Sequence, residues 1–286
     1  MKRIRMVLPK GRMFENVLNL LKESGISIRT DERSYRPYVN SEHLEVKLMK
    51  AQNIPKLIEI GSHDIGFTGY DWIEETGSDV EELLDTGFDT VSIVSAVPTG
   101  INLKSLEKKR RIIVASEYEN ITKNYLRTKG ITKYIFVRTF GATEVFPPDD
   151  ADMIVDNMAT GKTLKSNNLK IMDKILSSST RFIANKHSMN KPFVKSFVSE
   201  MLLLFQSVIN GQQRVMLEMN VPRAKFDFIV KRLPCMRSPT VAPLYGEEGF
   251  AVKIAVKKDE ASKLIPKLKE WGATDILEYA IRKVTI

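Results

Sequence analysis

Short β-branched apolar runs recur through the first two-thirds of the chain, each ending in a tight loop and followed by apolar residues at helical spacing. This alternation constrains the fold more than any other feature. Residues 4–8 form such a run and lead into Pro9-Lys10-Gly11-Arg12. Met13, Phe14, Val17, Leu18, Leu20 and Leu21 then recur on one helical face as far as Gly25. Residues 44–49, 64–68, 90–97, 111–115, 134–137 and 153–155 read as further strands. Helices are expected at 53–60 with Asn53 as cap, at 71–75, at 122–129 and from Thr163 to about Asp173, with another strand at 176–184. The pattern predicts α/β layers around mostly parallel sheets. A long, strongly apolar helix at 191–209 stops at Asn210-Gly211-Gln212-Gln213, the best domain boundary in the sequence. Beyond it, strands at 214–221, 240–245, 250–256 and 276–281 and helices at 222–232 and 259–271 give the order β-α-β-β-α-β. That is a ferredoxin-like unit.

Composition narrows the function only partly. The net charge is +9 over 286 residues, which suits nucleic acid, an acidic membrane surface, polyanionic small substrates or a solvated basic surface. Cations are scattered, as at 104–111 and 162–174, and no long Lys/Arg block, aromatic platform or zinc-finger spacing supports a nucleic-acid binder. The single Cys235 excludes an internal disulfide and a Cys-rich zinc site. His43, His63 and His187 lack metal-ligand spacing. No uninterrupted apolar run approaches about 18 residues, and the first ten residues hold no signal-peptide apolar region, so a soluble cytoplasmic protein is expected.

The chemistry concentrates in four loops. In Val155-Asp156-Asn157-Met158-Ala159-Thr160-Gly161-Lys162-Thr163-Leu164 an acid follows a strand, and a Thr-Gly-x-Thr loop then opens a helix. Backbone amides and two hydroxyls there suit phosphate oxygens, and Asp156 suits ribose hydroxyls. Together they describe a phosphoribosyl group. Gly161-Lys162-Thr163 also matches the tail of a Walker A loop, but Asp156 stands where that motif needs its first Gly. A capped helix start without ligand is the plain alternative. Lys10 and Arg12 flank Gly11 at a strand-to-helix loop and suit a pyrophosphate or triphosphate, or form an ordinary basic turn. Asp71 follows a third such loop as a site acid or an N-cap. Glu144, after Gly141-Ala142-Thr143, suits a ribose hydroxyl, a metal-bound water or plain solvent.

Taken in order, these loops resemble one family, the ATP phosphoribosyltransferases, whose enzymes open histidine biosynthesis. The resemblance covers residues 4–286. The tail, with Met216-Leu217-Glu218, Ser238-Pro239-Thr240 and Gly272-Ala273, is similar to the long form with its fused C-terminal domain. The resemblance implies a two-lobed catalytic region like periplasmic binding proteins: lobe I from residues 1–90 plus about 185–210, lobe II from 91–184. A regulatory domain at 211–286 completes the chain. It implies transfer from phosphoribosyl pyrophosphate to N1 of ATP, with Mg²⁺ mainly on the pyrophosphate, histidine as feedback inhibitor, and dimers building hexamers. Thr160, Gly161, Lys162 and Thr163 would cradle the 5′-phosphate. Asp156 and Glu144 would hold the ribose, and Lys10, Gly11 and Arg12 would meet the phosphate-rich substrates. Asp71 and Tyr118 would lie near the nucleotide, and Glu218, Ser238, Thr240 and Ala273 would bind histidine. Ala159 stands where the family commonly has Ser. A non-catalytic solute-binding relative or amino-acid sensor is the competing class, and it has no need of the phosphate loop.

Overall fold

The computed structural model describes residues 3–30, 35–101, 106, 111–246 and 248–285, so most of the basic stretch at 104–111 lies outside the described residues. The chain divides into two compact units, Met1–Asn19 with Ile26–Ser196, and Leu20–Gly25 with Phe197–Ile286.

In the first unit the strand–loop–helix pattern builds two five-stranded sheets. The elements run β1 (Ile4–Pro9), α1 (Arg12–Glu23), a ribbon of β2 (Ile28–Arg29) and β3 (Tyr38–Val39), β4 (Leu44–Met49), α2 (Ile54–Glu59), β5 (Ile65–Gly69), α3 (Tyr70–Thr76) and β6 (Glu81–Asp85). The chain enters the second sheet as β7 (Val91–Pro98). It continues through β8 (Ile112–Ser116), α4 (Glu119–Thr128), β9 (Tyr134–Arg138), β10 (Met153–Met158), α5 (Lys162–Ser166) and β11 (Leu169–Ser178). It returns to the first sheet as β12 (Thr180–Ala184), followed by α6 (Lys186–Met189) and α7 (Pro192–Gln212).

Strand orders are β4-β1-β5-β12-β6 in lobe I and β11-β7-β10-β8-β9 in lobe II. Each sheet is parallel except for the strand by which the chain crosses into it. β12 runs antiparallel to β5 and β6, and β7 runs antiparallel to β10 and β11. This is the two-lobed α/β class that the sequence led us to expect. The two crossings are laced together: Thr86 donates its amide and hydroxyl to the Thr180 carbonyl, Thr180 donates its amide to the Phe88 carbonyl, and Ser179 Oγ donates to Asp85. Central strands are apolar on both faces because both are covered. Val7, Ile54, Ile58, Ile73 and Ile183 fill one side of lobe I, while Ile93, Val114, Leu126 and Val155 fill one side of lobe II.

Several expectations change. The helix expected from Thr163 to Asp173 ends at Ser166, because Asn168 takes a left-handed conformation (φ 54°) and the chain continues as β11 against β7. The single strand expected at 176–184 is two strands, broken at Ser179 where the chain changes sheet. β6 was not expected. Asn53 occupies the N-cap of α2, but its side chain makes no capping bond there.

Helix α7 is long and apolar enough for a bilayer by length and composition. Its Val194, Val198, Met201, Phe205 and Val208 are buried within the protein, and its Leu203 is exposed. In the second unit, β13 (Arg214–Pro222), α8 (Phe226–Val230), β14 (Thr240–Pro243), β15 (Gly249–Lys257), α9 (Lys258–Glu270) and β16 (Thr274–Ala280) form a four-stranded sheet in the order β14-β15-β13-β16. Every neighbouring pair is antiparallel, as a βαββαβ module requires. Val215, Leu217, Met219, Val252, Ile254, Leu264 and Leu268 form its core.

Candidate active site

The carboxyl ends of parallel strands are where α/β proteins gather ligands, and the end of β10 opens on a cavity of about 260 Å³. Glu144, Asp156, Asn157, Met158, Thr160, Gly161 and Thr163 of lobe II line it, and Arg12, the first residue of α1 in lobe I, lines it too. Gly161 sits at φ +75°, and a Cβ there would lie 3.1 Å from Met158 Sδ. The loop therefore turns tightly against the strand it leaves. Among the described residues, the amides of Thr160, Gly161, Lys162 and Thr163 donate to no protein acceptor. Four unpaired donors beside two hydroxyls are an arrangement chemically suited to an anion.

Other residues singled out by sequence lie elsewhere. Gly11 turns the β1–α1 loop at φ +83° and sends Arg12 to the cavity, whereas the Lys10 ammonium lies 3.6 Å from the Tyr35 ring centroid. Lys162 is exposed and does not line the cavity.

Asp156 is electrostatically poised. Burial, reinforced by the negative charges of Glu144 and Glu117, pushes its carboxyl up to about 7, against hydrogen bonds from the Asn157 amide and Thr143 that favour the charged form. Its Oδ1 accepts from the Asn157 amide at 2.7 Å. A shift of this size in a cleft is typical of a functional carboxylate.

Asp71 and Tyr118 belong to the junction of the lobes. Tyr118 is 1% exposed; its hydroxyl donates to Asp71 Oδ2 at 2.7 Å and its ring stacks on Trp72 at 4.6 Å. Burial and the Asp71 charge raise the phenol above its ordinary value. Asp71 Oδ1 also accepts from Ser178 Oγ at 2.7 Å, so Asp71 is not the N-cap of α3; that position is Gly69. Sequence reasoning missed three participants. Glu75 of α3 accepts the Asn120 and Ile121 amides at the start of α4, Ser178 ends β11, and Asn157 lines the cavity. Only Asn157 carried a signal, as a polar neighbour of Asp156 inside the motif.

Comparisons with known proteins bear on the family of the chain. The family model described as ATP phosphoribosyltransferase matches residues 50–207, and the model described as HisG, C-terminal domain, matches residues 211–283. The ATP phosphoribosyltransferase of Thermodesulfovibrio yellowstonii is 38% identical over 99% of this chain and 98% of its own. This chain belongs to the ATP phosphoribosyltransferase family. The ATP phosphoribosyltransferase of Pelotomaculum thermopropionicum is 37% identical over 99% of each chain. Among solved structures, the ATP phosphoribosyl transferase (HisG:HisZ) complex from Thermotoga maritima matches with a TM-score of 0.63 and 26% identity, over 71% of this chain and 98% of that one. The chain is thus a long-form ATP phosphoribosyltransferase in family, a pentosyltransferase of histidine biosynthesis with the C-terminal domain fused.

In that domain Glu218, Lys253 and Thr240 stand in one row across β13, β15 and β14, and Lys253 Nζ lies 3.2 Å from Glu218. Ser238 is exposed ahead of β14, whereas Ala273 is buried in the core before β16. The histidines and Cys235 do not gather: His43 packs edge-on against Phe193, His63 is buried with its imidazole held below its ordinary value by desolvation, and Cys235 Sγ donates to the Leu233 carbonyl.

Gly161→Ala is expected to strain the left-handed turn and crowd Met158, displacing the loop amides. Affinity for phosphoribosyl pyrophosphate should fall about tenfold, in line with one or two misaligned charge-assisted hydrogen bonds. Calorimetric titration of wild type and variant measures this, and equal dissociation constants would show that the loop does not hold the phosphate.

Proposed function

We propose that this chain transfers the phosphoribosyl group of phosphoribosyl pyrophosphate to N1 of ATP, giving phosphoribosyl-ATP and pyrophosphate, and that histidine inhibits it. One observation carries the reading: a single cavity joins the unpaired loop amides of Thr160, Gly161 and Thr163, two carboxylates and, from the facing lobe, Arg12. The loop of Thr160, Gly161 and Thr163 holds the 5′-phosphate. Asp156 and Glu144 accept hydrogen bonds from the ribose hydroxyls, and their negative charge favours the positive charge that develops at the anomeric carbon. Arg12 neutralises phosphate oxygens across the cleft, with Lys10 close by on the same loop. The bond from the anomeric carbon to pyrophosphate breaks as the bond to N1 forms. The adenine nitrogen has its own lone pair, so the protein needs to position and stabilise rather than supply a nucleophile.

Mg²⁺ fits this arrangement. It binds through one or two carboxylates together with substrate phosphate oxygens, and Glu144 and Asp156 are the carboxylates lining the cavity. Among the described residues no group of three or more His, Cys, Asp or Glu is assembled for a metal. When bound, Mg²⁺ supplies charge neutralisation of the leaving group.

The test is incubation with both substrates and Mg²⁺, with the product identified by mass and by the NMR shifts of an N1-substituted adenine. Folded protein that yields no such product contradicts the transfer. Histidine is expected to lower the rate through the Glu218–Thr240 face of the tail domain, in a soluble cytoplasmic enzyme built from dimers into a hexamer. Thr240→Val should raise the histidine concentration for half-inhibition about tenfold, the worth of one lost hydrogen bond in a binding site. An unchanged value would move the inhibitor site elsewhere.

A further inference from the structure

Asp156 does not stand alone at the end of β10. The side-chain amide of its neighbour Asn157 donates to Asp156 Oδ1 and to the Tyr118 hydroxyl oxygen, 3.3 Å in each case. The Tyr118 hydroxyl in turn donates to Asp71 at 2.7 Å, and Asp71 accepts from Ser178 at 2.7 Å. The donors are ordered: an amide N–H to a phenol, the phenol O–H to a carboxylate. Asp71, Tyr118 and Ser178 are 6%, 1% and 3% exposed, so the far end of this chain is fixed in the protein interior. Asp71 lies in α3 of lobe I and Tyr118 at the start of α4 in lobe II, so the chain crosses the junction of the lobes before it reaches the cavity.

We propose that Asn157 is a positioning residue that ties the Asp156 carboxylate to the Tyr118–Asp71 pair, so that the junction between the lobes orients the group that holds the sugar. The proposal rests on the reading that Asp156 binds the ribose, and extends it to three residues that need not touch substrate. Asn157 is suited to the task because its one amide group offers two hydrogens, one for each neighbour. A carboxylate that accepts from a fixed side-chain amide is held in direction, and the hydrogen bond favours its ionised form; both matter for gripping a diol. Glu144, Glu117, Tyr118 and, across the cavity, Arg12 are the other titratable or charged groups around Asp156. The two acids favour its protonation. The Asn157 backbone amide and Thr143 oppose them, and the Asn157 side-chain amide brings a further donor to the same Asp156 oxygen.

The test measures kcat and KM for phosphoribosyl pyrophosphate between about pH 6 and pH 9 for wild type, Asn157→Leu, Tyr118→Phe and the double variant. Asn157→Leu removes the side-chain donor and leaves the backbone bond to Asp156 in place. Its KM for phosphoribosyl pyrophosphate is expected to rise roughly fivefold near neutral pH, with the acid limb of the profile moved up by about half a unit and KM for ATP unchanged. Tyr118→Phe should move the limb in the same direction, and the double variant should be no worse than Asn157→Leu, because both cut one chain. A superimposable Asn157→Leu profile, or strictly additive losses in the double variant, overturns the proposal. Asp156→Asn, run alongside, separates the two claims. A large loss there with an unmoved Asn157→Leu profile overturns the positioning role alone, and no loss in either overturns the assignment of Asp156 to the sugar.

Discussion

Asp156→Asn is expected to lower kcat/KM for phosphoribosyl pyrophosphate by about a hundred- to a thousandfold, the usual loss when a preorganised charge is removed from a transition state. The same variant is expected to make the ligand-free protein more stable above neutral pH. The sign follows from the direction of the shift. The folded carboxyl is pushed up to about 7 from an ordinary 3.8, chiefly by burial and then by Glu144 and Glu117. Between those values the folded protein keeps a proton that the unfolded chain has already released. Stability therefore falls as pH rises through that window, and above about 7 the folded state carries the whole penalty of the buried charge. An amide carries none. The thermal midpoint of Asp156→Asn should equal that of wild type near pH 4 and exceed it by about 3 °C near pH 8, a part of the gain being lost to solvent screening at this half-buried site. Scanning calorimetry of both proteins across pH checks this. A midpoint that falls at pH 8 would mean that Asp156 is a structural acid stabilised by its surroundings.

Glu75→Ala is expected to produce the largest loss of stability, about 2–3 kcal/mol, or roughly 6 °C in the midpoint of the catalytic unit. The Glu75 carboxylate is 6% exposed and accepts from the Asn120 amide at 3.0 and 3.1 Å and from the Ile121 amide at 3.0 Å. It thus serves as the acceptor for the first amides of α4, supplied by the other lobe, while its own carbonyl takes Asn120 Nδ2 at 2.7 Å. Truncation leaves the buried Ile121 N–H and the partly buried Asn120 N–H at a helix start without their partner and removes a negative charge from the positive end of the helix. Glu75→Gln keeps one acceptor oxygen and should lose less than half as much. A midpoint within 1 °C of wild type for Glu75→Ala, on the scale of an ordinary surface substitution, would show that the contact between α3 and α4 contributes little.

What could be read in the sequence follows from how locally each feature is encoded. β1, β4, β5 and β8 are recognisable because they are short, apolar and bounded by turn residues. β11 imitates a helix. Its register against β7 shifts between Ile171 and Asp173 and again between Lys174 and Leu176, so the apolar residues lose the alternation that marks a strand. β6 is an edge strand bonded to β12 alone, and its Glu81-Glu82-Leu83-Leu84-Asp85 has no two-residue period.

The cavity was legible where its residues are contiguous. Asp156, Thr160, Gly161 and Thr163 lie within one strand–loop–helix unit. Arg12 and Glu144 were visible as loop residues, and only the topology of the two sheets brings them to that unit. Asn157's link to Tyr118 spans 39 residues, Glu75's to Asn120 45, and Ser178's to Asp71 107. Contacts at such separations leave no local pattern, so the junction could not be read before the fold was known. The charge of +9 is now partly placed: Arg12 faces the cavity, and other cations such as Arg5, Lys123 and Lys186 pair with acids elsewhere.

The most direct test of the account is a crystal structure of the full chain with phosphoribosyl pyrophosphate and Mg²⁺. The 5′-phosphate is expected within hydrogen-bond distance of the Thr160–Thr163 amides and the ribose hydroxyls on Asp156 and Glu144, with the pyrophosphate facing Arg12. A ligand seated away from the β10–α5 loop, or a sugar that leaves Asp156 untouched, would contradict it.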